Sequence, residues 1–336
     1  MLTIEELESA CDRSQTPDFT RHEIEAPALS LREIFYPLGF PAELRTNSPG
    51  ILSQVRELWS VFEQQFATKP IRMDVHVVDG ELTDCPPAPV VRILQPLMTN
   101  IADANHYSVT NLEQGTTQII LSRGAEKYRS YLRYFFLESA PLCQIASRFA
   151  TPVHAGCVTR NGRGFLLCGD SGAGKSSTSY ACAQAGWTYV TDDASYLLNE
   201  GKERLVTGNC HQVRFRPSAA ELFHEIKGLE ITPRAAGKPS IELPTAKMPG
   251  MICSPTANVD YLVFLNRRTG GPPELLPYRK DVARQFLRQV VYGSAESLAA
   301  QYAALEQLLA AEVFELRYSA LDWAVYRLEA LALEGR

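Results

Sequence analysis

Cys157-Val158-Thr159-Arg160-Asn161-Gly162-Arg163-Gly164-Phe165-Leu166-Leu167-Cys168-Gly169-Asp170-Ser171-Gly172-Ala173-Gly174-Lys175-Ser176 is the stretch from which the rest of the chain can be placed. Its first half holds two short apolar runs around Asn161-Gly162. That dipeptide favours a two-residue hairpin, because both turn positions need positive φ. The spacing therefore predicts antiparallel strands on either side. The second half, Gly169 to Ser176, fits G-x-x-x-x-G-K-[ST] in full and stands between a strand and a helix. Glycines there let backbone N–H groups converge on phosphate oxygens, and a helix N-terminus adds its dipole. Lys175 would neutralise the β- and γ-phosphates, and the Ser176 hydroxyl would hold Mg²⁺. A purely parallel nucleotide sheet would reach such a loop by a helical crossover rather than a tight hairpin. The expected fold is therefore α/β with a mixed, partly antiparallel P-loop sheet.

Downstream, Ser176 to Ala185 reads as a short helix with Gly186 at its C-cap. Trp187 to Val190 reads as a strand delivering Asp192-Asp193. Residues 196–198 and 204–206 flank Asn199-Glu200-Gly201-Lys202, a second hairpin candidate. A buried strand over 259–265, helical residues over 281–310, a strand over 313–318 and a closing helix over 321–334 complete this half. Upstream, residues 1–30 read as a short helix and a polar stretch. A strand then leads to a helix capped by Asn47 or Ser48 with Pro49 at its first position. Strands are expected over 71–78 and 116–122, and Cys85-Pro86-Pro87-Ala88-Pro89 reads as a rigid loop. Tyr128 to Phe149 reads as an amphipathic helix kinked or broken at Pro141. No chemical motif declares itself in this half, and its aromatic stripes read as core. Two domains are expected, an α/β unit over 1–150 and a P-loop domain over 151–336.

The 336 residues are 45% hydrophobic and 21% charged, enough for ordinary cores under a soluble surface. The net charge of -5 disfavours nucleic acid or an anionic membrane as partner, since both want a basic face. The eight cysteines, among them Cys11, form no C-x-x-C and no zinc spacing, and read as reduced packing residues. Met1-Leu2-Thr3-Ile4-Glu5-Glu6 lacks the layout of a signal peptide, and no apolar run reaches the ~18 residues of a membrane span. The expectation is a cytoplasmic protein, with self-association left open.

The run Val153-His154-Ala155-Gly156, Gly162 to Cys168, the loop Gly169 to Ser176, and Asp192-Asp193 resembles the HPr kinase/phosphorylase family. That family carries a histidine before the hairpin, a G-D-S-G-x-G-K-S loop and an Asp-Asp pair at the matching distance. The likeness spans residues 154–193 and is loose elsewhere. It implies a phosphoenolpyruvate-carboxykinase-like nucleotide fold with ATP and Mg²⁺. It also implies γ-phosphoryl transfer to a hydroxyl, here a serine of a small protein or peptide. By the same resemblance Lys175 and His154 belong to the catalytic group, with Asp192 as proton acceptor. Gly169, Asp170, Ser171, Gly172, Ala173, Gly174, Lys175, Ser176 and Ser177 hold the nucleotide, while Ser176 and Asp193 hold the metal.

The departures point to a divergent member. Ser177 stands where the family has glutamate, and the Gly-rich Asn-Val loop associated with its dephosphorylating activity has no counterpart, so a kinase without phosphorolysis is implied. In its stead come Arg214-Phe215-Arg216, whose alternation would put two guanidiniums on one strand face, then Arg234 and Lys238. All four cations are candidates for stabilising transferring charge, and Glu242 is a candidate for the missing carboxylate. Rival readings are a regulatory ATPase gated by nucleotide, a small-molecule hydroxyl kinase, and a nucleotide-binding module without turnover.

Overall fold

The computed structural model describes residues 27–201, 204–232 and 239–334, with Glu5, Ser9, Asp12 and Arg13 besides. Cys11, Lys202, Arg234, Lys238 and most of the helix expected within 1–30 lie outside the described residues. The chain forms two compact units, one built from 27–148 with Gly293–Ser297 and one from 149–232, 239–292 and 298–334.

The first unit is a seven-stranded sheet in the order β1-β2-β3-β7-β6-β5-β4. Its strands are β1 (Leu31–Phe35), β2 (Ala42–Thr46), β3 (Ile71–Val78), β4 (Val90–Leu94), β5 (Leu97–Asp103), β6 (His106–Asn111) and β7 (Thr116–Ser122). β2, β3 and β7 run parallel, and the remaining pairs are antiparallel. Helix α1 (Pro49–Trp59) starts as its sequence dictates: the Ser48 side chain accepts the Ile51 N–H at 3.1 Å and Pro49 fills the first position. The strands over 90–111 escape a periodicity reading. All six residues of β6 are buried although Ser108, Thr110 and Asn111 are polar, so no alternation marks them. The expected break at Pro141 is also displaced. The irregularity is a π-helical turn at Arg133–Leu137, and Pro141 sits in the first turn of α2 (Ser139–Arg148), where its missing N–H is harmless.

The second unit is built on a mixed sheet ordered β17-β11-β9-β10-β19-β21-β20. Its strands are β9 (Ala155–Arg160), β10 (Arg163–Cys168), β11 (Thr188–Thr191), β17 (Ile252–Cys253), β19 (Tyr261–Arg267), β20 (Glu274–Pro277) and β21 (Glu312–Tyr318). Asn161 (φ 52°) and Gly162 (φ 76°) make the hairpin between β9 and β10, with Arg160 opposite Arg163. β10 then runs parallel to β19, and β19 to β21. Every residue of β10 from Gly164 onward is buried, because both faces are covered. Leu166 and Cys168 join one apolar cluster with Leu262, Phe264 and Val313. Phe165 and Leu167 join the other, where Trp187 meets Phe165 edge-on at 5.1 Å.

Helix α3 (Lys175–Gln184) and the closing helix α6 (Leu321–Glu334) flank this sheet. An antiparallel sheet of β18 (Thr256–Asn258), β13 (Leu205–Gly208), β12 (Ser195–Leu198) and β8 (Ala150–Val153) adjoins it, with β12 and β13 paired as the second hairpin requires. A third sheet holds β14 (Gln212–Phe215), β16 (Ser240–Pro244) and β15 (Ile231–Thr232). The helical stretch expected over 281–310 forms two helices, α4 (Lys280–Leu287) and α5 (Ala295–Leu308). Ser294 ends the break by accepting the Ser297 N–H at 3.2 Å, an N-cap interaction. The molecule is thus α/β with mixed parallel and antiparallel sheets. No helix among the described residues is long and apolar enough to cross a membrane.

Candidate functional site

The loop between β10 and α3 bends through three glycines at positive φ: Gly169 (147°), Gly172 (95°) and Gly174 (102°). Gly174 is the N-cap residue of α3, so the helix's unpaired N–H groups open onto the loop. A Cβ on Gly174 would lie 2.3 Å from the Tyr318 hydroxyl, so a side chain there would have to displace Tyr318 and would also be strained at this positive φ. Tyr318, the last residue of β21, donates that hydroxyl to the Ala173 carbonyl at 2.9 Å. Ala173 N–H in turn bonds the Asp170 carbonyl at 3.1 Å. Around Gly172 there is open space, while Asp170 and Ser171 are exposed.

Lys175 lies beneath the loop, 6% exposed. Its ammonium donates to the carbonyls of Gly169 at 2.7 Å and Asp170 at 3.2 Å, and to His154 Nε2 at 3.0 Å. Burial lowers its pKa, an effect opposed by Asp193 and then by Cys168, Asp170 and Asp192. Because Nε2 accepts from an ammonium, His154 carries its proton on Nδ1, which faces Asp193 Oδ1 at 3.6 Å. Lys175, His154 and Asp193 therefore form one polar chain along the loop.

The two aspartates follow β11 and occupy different surroundings. Asp192 is 3% exposed. Its Oδ1 accepts from the Tyr189 hydroxyl at 2.8 Å and its Oδ2 from the Arg214 backbone N–H at 3.3 Å. Burial, and then the charge of Asp193, push its pKa up to about 6, against hydrogen bonds from Ser176 and Tyr189. The Ser176 hydroxyl thus borders the Asp192 carboxylate. Asp193 stays more open, its side chain 36% exposed. Close approach of α3 to β9 makes this grouping feasible. A Cβ on Gly156 would sit 2.4 Å from the Ser179 hydroxyl.

Ser177 is half-buried in the first turn of α3. Glu242 lies opposite Arg214 across β14 and β16, pairs with its guanidinium at 3.3 Å and accepts from Gln212 at 2.8 Å. Arg216, just past β14, donates to the Ser171 hydroxyl at 3.0 Å. Tyr189 and Tyr318 escaped the sequence reading. Both are aromatic residues in strands that read as core, and only their hydroxyl contacts reveal a second role. Among the described residues no three His, Cys, Asp or Glu side chains form a metal cage.

The first unit holds another polar array. His106 Nε2 lies 2.8 Å from the Ser122 hydroxyl, and its Nδ1 lies 2.7 Å from Asp103. The order of groups is that of an activated serine, but Ser122 is 3% and His106 1% exposed. A nucleophile sealed from substrate does no chemistry, so the array pins the ends of β6 and β7.

No protein-family model matches the chain, and no curated protein matches it. Among solved structures it is similar to the HPr(Ser) kinase/phosphatase from Coxiella burnetii, with a TM-score of 0.32 and 15% identity. The match covers 55% of this chain and 99% of that one. A superposition that loose carries no argument about activity.

Proposed function

We propose that the protein is an ATP-dependent phosphotransferase that moves the γ-phosphoryl group to a hydroxyl. The observation that carries this reading is the loop from Gly169 to Ser176, opening on the N-terminus of α3 with Lys175 buried beneath it. Backbone N–H groups at a helix start, bent back through glycines, are an anion site by construction. The choice of a seryl hydroxyl in a small protein or peptide rests on the resemblance over 154–193.

The donor set suits Mg²⁺, which takes hard oxygen ligands and needs only one or two protein groups beside substrate phosphates. Ser176 and Asp192 would hold it, and when bound it would neutralise charge on the phosphate oxygens. Lys175 can leave its carbonyl partners for phosphate oxygens without moving its backbone. The burial of the aspartates supports an exchange of the roles that the resemblance implied. Asp192, enclosed and bordering Ser176, suits the metal side. Asp193, open to solvent and backed by His154, suits the incoming hydroxyl and receives its proton.

The test is nucleotide binding by calorimetry on the folded protein. Lys175→Ala removes a charged donor, so MgATP affinity should fall roughly 10- to 100-fold. Unchanged affinity would mean that the loop holds no nucleotide. For the roles, Asp193→Asn should lower turnover by ~10²-fold or more with MgATP affinity kept. Asp192→Asn should instead raise the Mg²⁺ concentration needed for half-maximal rate, and the reverse pattern would restore the roles drawn from the resemblance.

A further inference from the structure

We infer that Arg216 supplies, from within the same chain, the cation that meets the γ-phosphoryl group during transfer. This rests on the reading of residues 169–176 as the nucleotide site and adds a residue to it. β14 leads from one side of that site to the other. The Arg214 backbone N–H bonds Asp192, and two residues on the Arg216 guanidinium reaches Ser171 on the exposed part of the loop. The two arginines differ in how their charge is used. Arg214 is paired with Glu242, whose side chain is 7% exposed, and it also bonds Gln212 at 3.2 Å. Arg216 has no carboxylate partner among the described residues, and a neutral serine hydroxyl does not balance a guanidinium.

Its backbone is also fixed. Phe215, 1% exposed, packs edge-on against Tyr180 at 5.1 Å, Pro217 opens the following 3-10 turn, and the Arg216 carbonyl accepts the Ala219 N–H at 2.9 Å. An uncompensated cation on rigid backbone beside a phosphate loop is preorganised for charge that develops in the reaction. As the bond from the γ-phosphorus to the β–γ bridging oxygen breaks, its electrons leave with ADP. The acceptor oxygen bonds phosphorus and its proton passes to Asp193. The charge spread over the equatorial and bridging oxygens falls within reach of Arg216.

The experiment titrates Mg-ADP, with and without fluoroaluminate, into the wild-type chain, Arg216→Met and Arg216→Lys, and follows MgATP hydrolysis. Fluoroaluminate with ADP mimics the transferring group, so the wild-type chain should gain affinity when it is added. Arg216→Met should bind Mg-ADP within about twofold of wild type, lose that gain, and turn over about 10³-fold more slowly. Arg216→Lys should recover part of both. Retained Mg-ADP binding also shows that the loop of the variant is folded. An undiminished fluoroaluminate gain and rate in Arg216→Met would overturn the inference and leave the nucleotide site standing. Absence of Mg-ADP and MgATP binding to the wild-type chain would overturn both.

Discussion

Asp192 concentrates the cost of building the site in one side chain. A carboxyl whose folded pKa is about 6, against an ordinary value of 3.8, binds its proton more tightly in the folded state than in the unfolded one. Its contribution to stability is therefore greatest below about pH 4 and is lost as pH rises through 6. Taking about 1.4 kcal/mol per pKa unit, the loss amounts to roughly 3 kcal/mol. Asp192→Asn removes the titration, so in Mg²⁺-free buffer its stability relative to wild type should improve by roughly that amount between pH 4 and pH 8. Urea denaturation at the two pH values measures it. A pH-independent difference would mean that Asp192 titrates as an ordinary carboxyl. A bound cation beside Ser176 would relieve the same penalty, which links metal to fold at this one residue.

At the scale of the element, the loop is held from behind by a strand that is remote in sequence. β21 ends in Tyr318, whose hydroxyl holds the Ala173 carbonyl and fills the space that a Gly174 side chain would need. Tyr318→Phe leaves that half-buried carbonyl without its partner, which costs on the order of 1 kcal/mol. Nucleotide affinity should then weaken together with thermal stability, while the mutant ring still packs in its cluster. Stability and affinity both at wild-type level would mean that the loop holds its shape without β21. Gly156 plays the matching part on the other side, where the absence of a Cβ lets α3 lie close to β9 and brings Lys175 to His154. β14 is the third support, since one strand carries both the N–H that caps Asp192 and the arginine on Ser171.

Across the whole molecule, every group of the proposed site belongs to the second unit. A ligand that binds only folded protein stabilises it by about 2.7 kcal/mol at a hundred times its Kd. That gain should be confined to the structure the ligand touches. Hydrogen exchange with MgATP at saturation should slow the amides of β10, α3, β11 and β19 and leave those of β4, β5 and β6 unchanged. Equal protection of β4–β6 would mean that the first unit takes part in holding the nucleotide. The first unit has its own apolar cluster around Leu97, Tyr107, Val109 and Ile120, and its polar array at His106 is sealed. Its contribution to the proposed reaction is open to the same measurement.

Local chemistry was enough for the β9–β10 hairpin, the bent loop and the start of α3. Asn161-Gly162 has to turn, three glycines take backbone angles closed to other residues, and Lys175-Ser176 follows them directly in sequence. The mixed sheet followed from that hairpin, because a strand paired antiparallel to its predecessor cannot belong to a purely parallel array. Strands such as β6, buried on both faces yet polar, carry no periodic signal, and so they were invisible until the sheet formed around them. The division of labour between Asp192 and Asp193 was equally out of reach. Two adjacent aspartates look alike in a sequence, and what separates them is burial, Tyr189 and the Arg214 N–H. Arg216 was legible as a candidate cation but its contact with Ser171, 45 positions away, was not, and Tyr318 reaches the loop from 145 positions beyond the atom it bonds. Contacts of that separation leave no local pattern, because they are chosen by how strands pair rather than by which residues are neighbours.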